Sequence, residues 1–208
     1  MHLWILAIIA PLLVVIGLEV FHSVTAVFVS YHLVLCLGSV IFLGRGTDLG
    51  LRTRRGLPLG IALLVALAVI PPLAFKLLPD LFPDAALLRQ VLTNWNIDPY
   101  NPGPLLVFMA LVNGPAEELF WRGFLQSRLL RGWPSAIALV LLFSSYHLVT
   151  IKDLAPGPGG MVLMFSGVVA AGAFWTWTRW RWNSLWPSLL SHTGATLGYM
   201  AICAWLLR

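Results

Sequence analysis

In 208 residues, 59% of the side chains are hydrophobic, 10% are charged, and the mean hydropathy is +0.87. A soluble domain needs about a quarter of its residues charged to cover its surface, so a water-facing globule is excluded and lipid must be the solvent over most of this surface. The net charge of +5 comes from dispersed arginines with no basic patch interleaved with aromatics, which marks membrane topology and not nucleic-acid binding.

The apolar run from Leu3 to Leu18 has no Lys or Arg before it and no small-x-small cleavage site, so it reads as an uncleaved first span and not as a signal peptide. A span needs about 20 apolar residues. Residues 3–43 therefore hold two, near 3–19 and 24–43, with a break at Glu19–Ser23. Residues 45–58 form a polar loop carrying Arg45, Arg52, Arg54 and Arg55. A third span follows from Leu59 to Leu78, with a kink expected at Pro71 and Pro72. Residues 79–103 are rich in Pro, Asp and Asn around a short amphipathic stretch near Ala85–Leu92. Further spans are expected at about 104–127, 135–150, 160–178 and 184–206. The fold class is all-α: a polytopic transmembrane helix bundle of about seven spans, forming a single membrane-embedded domain over residues 1–208.

Placing residues 45–58 in the cytoplasm also places Arg128, Arg131, Arg179 and Arg181 there. The opposite side receives Lys76, Arg89, Lys152 and Arg208. That asymmetry predicts a multi-pass protein of the cell membrane with a cytoplasmic N-terminus. The pairs Gly194/Gly198, Gly167/Ala171 and Ser166/Ala170 have the four-residue spacing that lets helices approach closely in lipid. Cys36 and Cys203 lie in apolar runs, form no CxxC pair, and read as packing residues.

Ionisable groups inside spans are costly and mark function. Glu117, Glu118, Arg122, His147 and His192 stand out. Glu19 and His22 fall at a span end where the interface hydrates them, and His32, alone in the second span, reads as a hydrogen-bonded packing residue. At 1.5 Å rise per residue, Glu117 lies about 16 Å above Arg128, His147 roughly 20 Å above Pro134, and His192 roughly 12–17 Å above Arg181 or Ser184. Three helices thus carry polar groups to similar heights, as a common buried site requires. Glu118 and Arg122 are spaced i, i+4 with the acid first, the favourable order for a helical ion pair. Glu117 points about 100° away, towards a cavity, with Asn113 one turn before it. His192 and Thr196 share a face, as do Phe143 and His147. A buried carboxylate beside an imidazole can activate water, and a second His with a hydroxyl or amide nearby can stabilise an oxyanion.

These residues resemble the motifs of the CPBP family of intramembrane proteases, also called the CAAX-protease or Abi family. The stretch Glu117-Glu118-Leu119-Phe120-Trp121-Arg122-Gly123 is similar to its EExxxR(G) motif, Phe143 to His147 to its FxxxH motif, and the approach to His192 to its last motif, HxxxN. The resemblance covers about 104–200. It implies a glutamate-type intramembrane endopeptidase in which Glu117 and His147 activate water, His192 stabilises the oxyanion, and Glu118 and Arg122 hold the site together. Position 196, an Asn in the family pattern, is Thr here, so Thr196 or Asn113 is the supporting polar group. No cofactor is implied. Zinc is the alternative, because Glu and two His could bind it, but no HExxH motif is present. The implied partners are the bilayer and a membrane-associated protein or peptide. Prenylated CAAX tails are cut by eukaryotic relatives, and bacterial ones suggest sorting tails or bacteriocin-type peptides. The arginine-rich, lysine-poor composition points to a bacterial member. Two other functions fit the residues: a proton-coupled transporter with a Glu/His relay, and a catalytically inactive scaffold or immunity protein of the same fold.

Overall fold

A computed structural model describes residues 2–208, whose regular secondary structure is helical throughout. Helix α1 (His2–Val15) continues through a π-helical turn, Ile16–Val20, and ends at the expected break. There His22 takes a φ of 48°, and Ser23 Oγ accepts the Ala26 N–H at 3.2 Å, capping the next helix. Helix α2 (Val24–Leu43) holds a long π-helical stretch, Phe28–Leu37. Helix α3 (Leu57–Leu77) starts after Gly56, whose φ of 73° is left-handed, and runs on through Pro71 and Pro72. Helix α4 (Ala85–Asn94) is the amphipathic stretch. Asp84 caps it by accepting the Leu87 N–H at 2.7 Å, and Leu88, Val91 and Leu92 form its buried face.

Helix α5 is one rod over residues 103–129, widened by π-helical segments at Met109–Asn113 and Leu119–Leu125. Pro115, which has no N–H to donate, stands between them. The segment expected to be one straight helix at 135–150 is divided at Tyr146 into α6 (Trp133–Ser145) and α7 (His147–Leu154). Helices α8 (Pro158–Trp182) and α9 (Trp186–Leu206) complete the bundle.

Among the described residues, five stretches are long and apolar enough to cross a membrane: Leu3–Val20, Val24–Leu43, Leu57–Leu77, Trp133–Leu154 and Pro158–Trp182. Rods α5 and α9 fall where the fourth and seventh spans were predicted but are more polar. Their polar groups are buried between helices, where they meet partners instead of lipid. Outward faces are apolar, with Val34, Phe42, Val65 and Leu77 all exposed. Helix α3 is the extreme case, since Gly60 is its one buried residue.

That exposed helix is held by backbone proximity. A Cβ at Gly194 would run into the Leu64 carbonyl, one at Gly198 into the Leu67 carbonyl, and one at Gly60 would lie 2.8 Å from the Trp186 oxygen. The close approach expected of Gly194/Gly198 is therefore real, and it joins α9 to α3. Gly167 behaves differently, because nothing lies within 4 Å of where its Cβ would be.

The loop at 44–56 is latched to the bundle by Arg179. Its guanidinium donates to the Asp48 carbonyl and Ser127 Oγ, both at 2.7 Å, to the Arg122 carbonyl at 3.1 Å, and to Asn183 Oδ1. Asn183, left-handed at φ 49°, ends α8 and donates its amide to Asp48 Oδ2 at 2.8 Å. The Gly50 N–H, at 2.9 Å from Oδ1, and then this amide hold the Asp48 carboxyl below its ordinary range.

Candidate active site

The sequence places Glu117 and Glu118 next to one another on α5, and the helix sends them to different partners. Glu118 is fully buried. Its Oε1 accepts from Arg122 Nη1 at 2.9 Å, closing the i, i+4 pair, and lies 3.0 Å from His192 Nδ1 on α9. Arg122 also donates to the Gly172 carbonyl of α8 at 3.3 Å. Its guanidinium carbon sits 4.0 Å from the centre of the Phe143 ring and 5.2 Å from that of Trp175. Two acceptors and two aromatic faces thus replace water around a buried cation. A Cβ at Gly172 would come within 3.4 Å of Arg122 Nη2, so a small residue there lets α8 close over the pair.

Glu117 is 2% exposed and faces a cavity of about 420 Å³. Its Oε2 lies 3.7 Å from His192 Nε2 and its Oε1 lies 3.6 Å from His32 Nε2, both beyond direct hydrogen-bond length. His147, His192, Asn113 and Thr196 border the same cavity, whose remaining wall is mostly apolar. Of the sequence-selected residues, Glu117, His147, His192, Asn113 and Thr196 therefore meet at one cavity. Glu118 and Arg122 stand directly behind it.

Each imidazole is fixed by a different neighbour. His147 opens α7 at the break after Tyr146, and its Nδ1 is 3.0 Å from the Phe143 carbonyl. A carbonyl only accepts, so Nδ1 carries the proton and Nε2 keeps its lone pair. The Tyr146 ring stacks on His147 at 4.3 Å. Trp175 stacks on His192 at 4.4 Å with 19° between the planes, and is itself held by donating Nε1–H to Ser191 Oγ at 2.7 Å. Behind the site, Trp121 Nε1 donates to Tyr31 Oη at 2.9 Å, and Tyr31 bonds Tyr146 at 2.9 Å. These aromatics lock α2, α5 and the α6–α7 break together.

Sequence reasoning passed over His32, which is 3% exposed and bonded to Asn113 Oδ1 at 2.7 Å through Nε2. Its mid-span position was the available signal. Trp175 and Gly172 were also passed over, and nothing in an apolar span separates a stacking Trp from a lipid-facing one. Thr196 borders the cavity, but its hydroxyl donates back to the His192 carbonyl at 3.1 Å. Among the described residues, no group of three or more His, Cys, Asp or Glu side chains could hold a metal ion.

Residues 99–198, which carry Asn113, the two glutamates, Arg122 and both cavity histidines of α7 and α9, match the family model described as type II CAAX prenyl endopeptidase Rce1-like. Comparisons with curated proteins and with solved structures give no match.

Proposed function

We propose that this chain is an intramembrane endopeptidase of the CAAX-protease family using glutamate-activated water, a reading supported by the match of residues 99–198 to the type II CAAX prenyl endopeptidase Rce1-like model. The substrate is a peptide bond near the end of a membrane-associated protein or peptide. The observation that carries this reading is the convergence of Glu117, His147 and His192, from three separate helices, on one largely apolar cavity. A solvent-poor cavity strengthens every charge interaction made to the reacting atoms.

In this mechanism water is held between Glu117 and the Nε2 lone pair of His147. As the water oxygen adds to the carbonyl carbon, its proton passes to Glu117, and the carbonyl oxygen becomes an oxyanion. Breaking the C–N bond returns that proton to the leaving amine, so water and peptide become an acid and an amine. His192 stabilises the oxyanion. His192 Nδ1 is anchored 3.0 Å from Glu118 Oε1, which leaves Nε2, 3.7 Å from Glu117 Oε2, as the nitrogen that meets the oxyanion. Glu118 and Arg122 position His192 without touching substrate. The reaction needs no metal. The protein sits in the cell membrane with its N-terminus in the cytoplasm, where the Arg45–Arg55 loop also lies.

The test is single-turnover cleavage by purified protein in proteoliposomes. The probes are a prenylated CAAX-type peptide and unmodified C-terminal tail peptides, with products read by mass. Products formed by the parent and absent with Glu117→Gln support the reading. A parent that cuts none of them, or a Glu117→Gln variant that cuts as fast, overturns it.

A further inference from the structure

Stabilising an oxyanion takes donors, and the structure changes where the second donor comes from. A hydroxyl has one proton, and that of Thr196 is committed to the His192 carbonyl at 3.1 Å within its own helix. Thr196 offers the cavity only lone pairs, which repel a developing negative charge.

Asn113 is placed otherwise. It borders the cavity at the end of the π-helical segment Met109–Asn113, and its Oδ1 lies 2.7 Å from His32 Nε2. The direction of that bond follows from the surroundings of His32. Its Nδ1 is buried with no partner, and its Nε2 lies 3.6 Å from the Glu117 carboxylate. A proton on Nδ1 would be a buried donor without an acceptor, and would turn the Nε2 lone pair towards a negative oxygen. Both are costly. A proton on Nε2 turns a donor towards both Asn113 Oδ1 and the carboxylate and leaves Nδ1 with only an unpaired lone pair, so His32 donates and Asn113 Oδ1 accepts. The Asn113 amide is then fixed with its two N–H bonds pointing away from His32.

Resting on the endopeptidase reading, we propose that His32 is a positioning residue that orients the Asn113 amide, and that Asn113, not Thr196, donates the second hydrogen bond to the oxyanion. His32 lies on α2, outside the matched segment 99–198. The first half of the chain thereby contributes to a site whose motifs all lie in the second half. Donors are drawn from both sides of Glu117, with His192 facing one carboxylate oxygen and the His32–Asn113 pair beside the other.

The experiment measures kcat and KM for cleavage of the prenylated CAAX-type peptide in proteoliposomes, with detergent melting as the check on folding. Loss of one oxyanion donor typically lowers kcat by about 10²-fold, so Asn113→Ala should fall by that order with little change in KM. His32→Ala should fall similarly, and the double variant should be no slower than Asn113→Ala alone, because the histidine acts through the amide. His32→Gln, which can still donate to Oδ1, should recover part of the rate. Adding Thr196→Asn to Asn113→Ala should restore activity by placing an amide on the other wall, a rescue that a packing role for Asn113 would not give. Undiminished kcat in Asn113→Ala, or multiplicative losses in the double variant, overturns the assignment while leaving the endopeptidase reading intact. A parent that cuts no peptide overturns both.

Discussion

His192 and Arg122, on different helices, are joined through a single oxygen: Glu118 Oε1 lies 3.0 Å from His192 Nδ1 and 2.9 Å from Arg122 Nη1. The adjacent glutamate has no such partner and faces the cavity. The EE pair is thus divided by the helix into a fixed anchor and a free carboxylate, and the two should respond differently to substitution.

For the free carboxylate and its imidazoles, Glu117→Gln, His147→Ala and His192→Ala should each abolish processing while the protein still accumulates in the membrane. Processing of a substrate in cells, measured beside the membrane level of each variant, decides this. Near-normal processing by any one of them removes that residue from the catalytic set.

The anchor should behave as structure. Arg122→Ala leaves the Glu118 carboxylate buried without its guanidinium partner, a loss on the order of 3–5 kcal/mol. Both abundance and detergent melting temperature should drop. Glu118→Gln should be milder, since the amide oxygen can still accept from Arg122. An Arg122→Ala protein that melts like the parent would show that the pair does not support the fold.

Activity should survive prolonged chelation, and the purified protein should carry far less than one zinc per chain. This follows from a site that activates water with Glu117 and His147. Activity lost to a chelator and regained with zinc would reassign those residues as ligands.

Gly194→Val and Gly198→Val should separate α3 from α9, because the added carbons meet backbone carbonyls that cannot rotate away. Overpacking typically costs about 1–3 kcal/mol, and backbone clashes fall at or above the upper end. Gly167→Ala, where space is open, should leave the melting temperature unchanged. Equal melting of all three would mean that the α3–α9 approach is not tight.

Asp48 gives a pH dependence of known sign. Donors from Gly50 and Asn183 lower its pKa in the folded state, so its contribution is present above the unfolded value, about 3.9, and is lost as pH falls through the lower folded value. The parent should melt above Asp48→Asn at neutral pH, and the gap should close on acidification. A gap that widens in acid would contradict the latch.

The order and approximate limits of the helices were legible in the sequence because lipid imposes a simple rule: long apolar runs between polar breaks. The break at Glu19–Ser23, the arginine loop and the amphipathic Ala85–Leu92 stretch all follow from it. The polar residues of the site were legible for the same reason, since a charge in a span is costly enough to stand out. Their partners were not. The division at Tyr146 lies where the rings of Tyr31, Trp121 and Phe143 pack against that residue, and the π-helical segments that carry His32, Asn113 and Arg122 change side-chain direction without changing residue order. His32 shows the limit most plainly. Alone in its span it is indistinguishable from a packing histidine, and only the approach of α2 to α5 brings it beside Asn113 and Glu117. Which residues are polar at depth is written along the chain, but which of them share a proton is set by distances of a few ångströms between helices, and those exist only once the bundle has closed.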